Sequence, residues 1–127
     1  MIEGSCHCGA VRWTFKGVPD EATACSCTVC RRYGTLWAYD FEGEGIEVSG
    51  PTQVYAPDKD IGFHFCPRCG GLAYWRGLRL RDDGRRRIAV NLRMADPQAV
   101  SGIAVRHLDG LGEWKEVTRG SVKDMWF

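Results

Sequence analysis

Seven cysteines stand in three groups along this chain: Cys6 and Cys8; Cys25, Cys27 and Cys30; Cys66 and Cys69. No other feature restricts the fold as much. An odd number leaves one thiol over in any framework built of disulfides alone. In a reducing compartment, clustered cysteines more often bind metal or do chemistry. C-H-C-G at 6–9 and C-P-R-C-G at 66–70 are each a pair of sulfurs followed by glycine, which tolerates the positive φ of a tight turn. Two such pairs fill the tetrahedron of a zinc ion. Cys6, Cys8, Cys66 and Cys69 are therefore expected to close one structural site that ties the first strand to the middle of the chain.

The stretch CSCTVC at 25–30 differs. Its three sulfurs can reach one ion and leave a fourth position open, the pattern of a catalytic zinc. Three thiolates on one Zn²⁺ leave a net charge of about −1, which suits the holding of a substrate thiol better than the activation of water. Other readings stay open at this point. One of the three can complete a different site, His64 or His107 can supply a fourth ligand, or metal binds only adventitiously. C-P-R-C also has the spacing of a redox pair, but its pairing with C-H-C and its trailing glycine favour metal.

The remaining sequence predicts one compact, mainly β domain spanning 1–127, with little helix. Val11, Trp13 and Phe15 alternate with polar residues in VRWTF, the period of a half-buried strand. GVPDE turns the chain. TLWAYDFEG reads as a strand, GIEVSGPTQVY as two strands broken at Gly50-Pro51, and GFHF leads into Cys66. LAYWRGLRLRDDGRRRIAVNLRM reads as a hairpin turned at Asp83-Gly84, with Ile88, Val90, Leu92 and Met94 on one face of the return strand. IAVRHL and EWKEVT are later strands. Asp96-Pro97 opens a single helical turn, and Gly34 ends another at TVCRRYG.

Seventeen basic against sixteen acidic residues give a net charge of +1, which argues against wholesale binding of nucleic acid or an anionic membrane. No apolar run approaches about 18 residues, so no transmembrane helix is expected. MIEGSCHCGA lacks the basic and apolar regions of a secretory signal, and the expected compartment is the cytoplasm.

GSCHCGAVRW, CSCTVCRRYG and FCPRCGG together resemble the glutathione-dependent formaldehyde-activating enzyme family, which includes centromere-protein-V-like proteins. The order and spacing of all seven cysteines match from about Gly4 to Cys69, with weaker echoes at Asp96-Pro97, His107 and Trp114. The resemblance implies an Mss4-like arrangement of β-sheets pinned by zinc. It implies a structural ion on Cys6, Cys8, Cys66 and Cys69 and a catalytic ion on Cys25, Cys27 and Cys30. It also implies a carbon–sulfur lyase acting on a thiol–aldehyde adduct such as S-hydroxymethylglutathione, with glutathione as the thiol co-substrate. The chain departs from the family pattern at Ser26, where the family usually writes His, and at NLRMADP, where it often carries G-T-L-D before D-P. Neither departure removes a ligand.

Around this chemistry, Arg31 and Arg32 are candidates to hold a substrate carboxylate bidentately, against the plainer reading of a solvated arginine pair. Tyr33, Trp37 and Tyr39 are candidates to line the cleft or to be core. His64 is the histidine expected closest to metal, His107 a lesser catalytic candidate, and His7 is expected to face solvent or an outer hydrogen bond. Ser26 and Thr28 are candidate donors to the thiolates. A rival reading makes the chain a non-catalytic, zinc-stabilised binding module. On that reading Arg76, Arg79, Arg81, Arg85, Arg86 and Arg87 form a positive knob at the hairpin tip for nucleic acid or an acidic protein partner. KDMWF at the C-terminus offers a surface for a homodimer.

Overall fold

A computed structural model of the protein describes residues 1–122. The KDMWF segment, expected above to support a dimer, lies outside the described residues. The named strands are β1 Ile2–Ser5, β2 Arg12–Phe15, β3 Glu21–Cys25, β4 Trp37–Phe41, β5 Ile46–Ser49, β6 Gln53–Tyr55, β7 Ile61–Phe65, β8 Leu72–Gly77, β9 Arg87–Asn91, β10 Ala104–Leu108 and β11 Glu116–Ser121. The helices are α1 Thr28–Tyr33 and α2 Pro97–Val100, with a 3-10 turn at Leu92–Met94. The chain is mainly β, as the alternation of VRWTF and the scarcity of helix signals predict.

The strands form a three-stranded sheet, β1-β2-β5, and an eight-stranded sheet, β11-β10-β3-β4-β9-β8-β7-β6. Within the large sheet β3 pairs with β10 in parallel, Thr23 beside Arg106 and Cys25 beside Leu108. Side chains alternate across a strand, so each strand of this sheet feeds two layers. Ala38, Tyr74, Ile88, Val90 and Val105 face the small sheet and pack with Ile2, Trp13, Phe15 and Ile46 into the larger core. On the opposite face Trp37, Phe63, Trp75 and Ala89 gather around Cys30 in a second, smaller core. The register carries that face across the sheet through Arg106↔Thr23, Thr23↔Trp37, Tyr39↔Ala89, Ala89↔Trp75 and Trp75↔Phe63.

One correction to the sequence reading concerns β9. The return strand stops at Asn91, and Leu92 and Met94 belong to the 3-10 turn. The Asn91 side chain causes the stop: its Oδ1 accepts the Leu36 and Arg93 N–H groups at 3.2 Å each, and its Nδ2 donates to the Leu72 carbonyl at 2.9 Å. Leu92 is nonetheless fully buried in the larger core, and Met94 packs against its edge. Asn91→Ala strands the buried Leu36 N–H and Leu72 carbonyl. It is expected to cost about 2–4 kcal/mol, read as a lowered denaturant midpoint with an unchanged m-value.

The arginine-rich hairpin does not present a bare positive knob. Arg76 pairs with Glu42, Arg79 with Asp60 at 3.5 Å, Arg81 with Asp83 at 3.8 Å, and Arg85 with Glu44 at 2.9 Å. Arg86 donates to the Gly77 carbonyl at 2.6 Å, and the Arg87 guanidinium lies 5.2 Å from the centre of the Trp75 ring. Each of the six thus has a partner within the fold, which weakens the case for a phosphate-binding surface.

Candidate metal centres and the cleft between sheet and loop

The sulfurs of Cys6, Cys8, Cys66 and Cys69 lie within 4.8 Å of one another. Cys8 Sγ stands 3.7 Å from Cys6 Sγ and 3.6 Å from Cys66 Sγ. A tetrahedral zinc with Zn–S bonds of about 2.3 Å requires sulfur–sulfur edges of about 3.8 Å, so the four residues fit the ion. Two matching turns build the site. The Cys6 carbonyl accepts the Gly9 N–H and the Cys66 carbonyl accepts the Gly70 N–H, each at 2.9 Å. Gly9 and Gly70 take φ of 79° and 80°, the conformation for which glycine is expected after each pair. Backbone N–H groups point at the sulfurs: Val11 at Cys6, 3.3 Å, and Arg68 and Cys69 at Cys66, 3.4 and 3.5 Å. Donated hydrogen bonds favour the thiolate, and N–H groups of Cys8 and Gly71 hold the Cys69 thiol down at about 6.

Cys25, Cys27 and Cys30 form the second group, their sulfurs also within 4.8 Å of one another. Cys25 ends β3, Cys27 is the N-cap of α1, and Cys30 sits one helical turn on. The Cys27 sulfur accepts the Cys30 N–H at 3.4 Å, as a capping serine oxygen would. Cys25 Sγ accepts the Cys27 N–H at 3.5 Å, and Cys30 Sγ accepts the indole N–H of Trp37 at 3.2 Å. Three sulfurs with oriented donors behind them suit a soft divalent ion. Among the described residues no His, Asp or Glu joins either group.

Burial pushes the Cys30 thiol up to about 12 and raises Cys25 as well. At Cys27 burial acts in the same direction, but the donated Cys30 N–H and the neighbouring thiols outweigh it and bring the thiol below its ordinary value. At neutral pH Cys25 and Cys30 therefore hold their protons until an ion displaces them. Metal uptake at this group releases at least two protons, so acid favours the free site. Its apparent zinc affinity is expected to fall at least about 100-fold for each pH unit below 8, and titration calorimetry in buffers of different ionisation enthalpy would count the protons.

The triad stands at the end of a cleft of about 780 Å³ whose floor is the aromatic face of the large sheet. Trp37, Tyr39, Phe63 and Trp75 line the floor; Arg87 and Arg106 stand on it, and Asp58 and Asp60 form part of the rim. The segment 109–114 makes the far wall. Asp109 braces it by accepting the Leu111 and Glu113 N–H groups at 3.2 and 3.3 Å. Gly110 lies so close to the triad that a Cβ there would be 2.5 Å from Cys25 Sγ and 2.7 Å from the Cys27 nitrogen. Trp114 takes a left-handed φ of 57° at the mouth. Apart from the family echo at Trp114, nothing in DGLGEW marks it as part of a site. Only the parallel pairing of β10 with β3 brings it there.

Several sequence-predicted residues lie elsewhere. His64 is on the opposite face of β7 from Phe63, stacked on Tyr74 at 4.5 Å with Nδ1 2.8 Å from the Thr52 hydroxyl. It is buried near neither group of sulfurs, because strand alternation turns it to the far side of the sheet. His107 faces away from the larger cleft but lines a smaller cavity of about 480 Å³ together with Cys25, Cys30, Arg31 and Arg93, so two cysteines of the triad border both spaces. His7 is exposed, as expected. The helical turn that buries Cys30 swings Arg31 and Arg32 outward. Arg31 Nε donates to the Ser26 carbonyl at 3.3 Å, and neither arginine lines the larger cleft, although Arg31 lines the smaller cavity with Cys25 and Cys30. Trp37 and Tyr39 do line it, whereas Tyr33 packs edge-on against Phe65 at 5.1 Å. Ser26, rather than donating to a thiolate, accepts the Gly110 N–H at 3.1 Å and so pins the far wall to the triad.

A family model described as glutathione-dependent formaldehyde-activating enzyme matches residues 1–104. A Halomonas elongata protein named "Putative glutathione-dependent formaldehyde-activating enzyme" is 35% identical over 88 residues, 59% of this chain and 55% of that protein. The chain thus spans about half the length of the curated relative it matches. A crystal structure of a Rhodobacter sphaeroides protein shares the fold, with a TM-score of 0.59 and 24% identity over 76% of this chain and 93% of that one.

Proposed function

From the membership of this chain in the glutathione-dependent formaldehyde-activating enzyme family, we propose that it is a zinc-dependent carbon–sulfur lyase whose substrate is a thiol–aldehyde adduct of the S-hydroxymethylglutathione kind. The observation that carries this reading is the convergence of Cys25, Cys27 and Cys30 at the end of an open cleft, with no fourth ligand among the described residues. Residues 1–127 are read as one zinc domain, in which Cys6, Cys8, Cys66 and Cys69 hold a structural ion. Its many unpaired thiols suit the reducing cytoplasm.

A zinc ion on three thiolates supplies a place for a substrate sulfur and lowers the pKa of its thiol. The protein's own groups do the rest. The Trp37 indole and the Cys27 and Cys30 N–H groups orient the three sulfurs. The aromatic floor excludes water from the face where carbon and sulfur meet, and the Gly110 wall fixes the direction of approach. In the forward direction the substrate sulfur adds to the aldehyde carbon and the aldehyde oxygen takes a proton from solvent. In the reverse direction the carbon–sulfur bond breaks and free aldehyde leaves.

Exchange of formaldehyde with glutathione has an uncatalysed background, so the test is NMR exchange spectroscopy at equilibrium. The zinc-loaded protein should raise the interconversion rate of glutathione and S-hydroxymethylglutathione above that background. A rate equal to background for glutathione and for a panel of other small thiols would remove the lyase reading.

A further inference from the structure

We propose that Arg106 binds a carboxylate of the thiol substrate, making the β10 side of the cleft the part that selects the thiol. The inference rests on the reading of this cleft as a thiol site. The sheet register sets the distance. Arg106 pairs laterally with Thr23, and Leu108 with Cys25, so Arg106 stands two residues along the same strand face from the triad. Two residues of strand rise about 6.6 Å. A sulfur at the triad and a carboxylate at Arg106 thus fit within one small peptide-like molecule.

The guanidinium is braced but not saturated. One Nη donates to Thr23 Oγ1 at 3.1 Å. Nε lies 3.7 Å from Glu21 Oε1, beyond hydrogen-bond distance, and is buried with no hydrogen-bond partner. A planar fork fixed along one edge offers the rest of its donors to a carboxylate at little further entropic cost. Glu21 offsets part of the charge, and Arg87, stacked over Trp75 in the same cleft, restores it. The acids of the cleft, Asp58 and Asp60, stand on the β6–β7 connection, away from β10, so the field inside favours an anion at Arg106. Arg106 also lies beyond the span matched by the family model, which ends at residue 104. Arg31 and Arg32, the arginines beside the cysteines in sequence, do not reach this space.

The probe is a glutathione analogue with methyl in place of the CH2SH group, which cannot ligate a metal, together with its forms amidated at each carboxylate in turn. Binding to the zinc-loaded protein is read by tryptophan fluorescence. Arg106→Gln should weaken the analogue about 10- to 100-fold. Amidating one of the two carboxylates should weaken wild-type binding by a similar factor and cost nothing more in the variant. Arg106→Lys should recover part of the loss, and it serves as the test should Arg106→Gln not fold. The proposal is overturned if Arg106→Gln binds like wild type, if amidation costs the same in both proteins, or if the wild type shows no binding at about 10 mM. Exchange measured in parallel separates the two readings. Catalysed exchange with Arg106-independent binding removes only the carboxylate contact. Arg106-dependent binding without catalysed exchange leaves the contact standing and removes the lyase.

Discussion

Replacement of Cys66 by serine is expected to unfold the protein. The Cys66 side chain is 1% exposed and its sulfur stands 3.6 Å from Cys8 Sγ, at the junction where the turn after β7 meets the turn after β1. Two backbone N–H groups, of Arg68 and Cys69, are aimed at it. A serine hydroxyl does not ionise to a ligand near neutral pH, so the site drops from four strong donors to three. Structural zinc binding contributes on the order of 10–16 kcal/mol to small metallo-domains, and the whole stability of a domain is about 5–15 kcal/mol. Even a partial loss is therefore enough to remove the folded state. Near-UV circular dichroism and zinc content would check this. A Cys66→Ser protein with a cooperative melt within a few degrees of wild type would mean that this ion is dispensable.

Replacement of Cys27 by serine is expected to do the opposite: keep the fold and abolish the chemistry. Serine is a good N-cap, and its oxygen can take the Cys30 N–H that the sulfur now accepts, so α1 still starts where it does. The second core of Trp37, Phe63, Trp75 and Ala89 does not depend on this sulfur for its contacts. On the proposed reading, what goes is one of three ligands to an ion with no further protein ligand among the described residues. Zinc content should fall from two ions per chain to one, matching the two sulfur groups. Catalysed exchange should fall at least about 100-fold, with the melting temperature shifted by only a few degrees. Equal unfolding by Cys27→Ser and Cys66→Ser would sink the division into a catalytic and a structural ion.

The grouping of sulfurs was legible because metal ligands in knuckles are local: C-x-C, C-x2-C and the glycine after each define their own turns. Asp96-Pro97 and Gly34 were legible for the same reason, each being a cap that a single residue type can make. β3 was not legible. Glu21–Cys25 is small and shows little alternation, and it is a strand because β4 and β10 clasp it from either side. His64 and His107 look like ligands in sequence, since histidine suits zinc, but His64 is turned to the far side of the sheet and His107, though it shares the smaller cavity with Cys25 and Cys30, does not join the sulfur group. Arg106 carries no signal in sequence because it acquires a neighbour in Thr23 only through a pairing that spans more than eighty residues.

That pairing also orders events during synthesis. All four sulfurs of the first group have left the ribosome once Cys69 has emerged, so this site can take its ion on a nascent chain and fix the two turns early. The triad is complete in sequence by Cys30, yet the strand beside it and the wall that Gly110 presses against Cys25 are translated some eighty residues later. Between those moments three thiols stand together with one side open. The newborn chain is then open on that side to oxidation and to the wrong metal, and β10 with the Gly110 wall narrows that opening to the cleft.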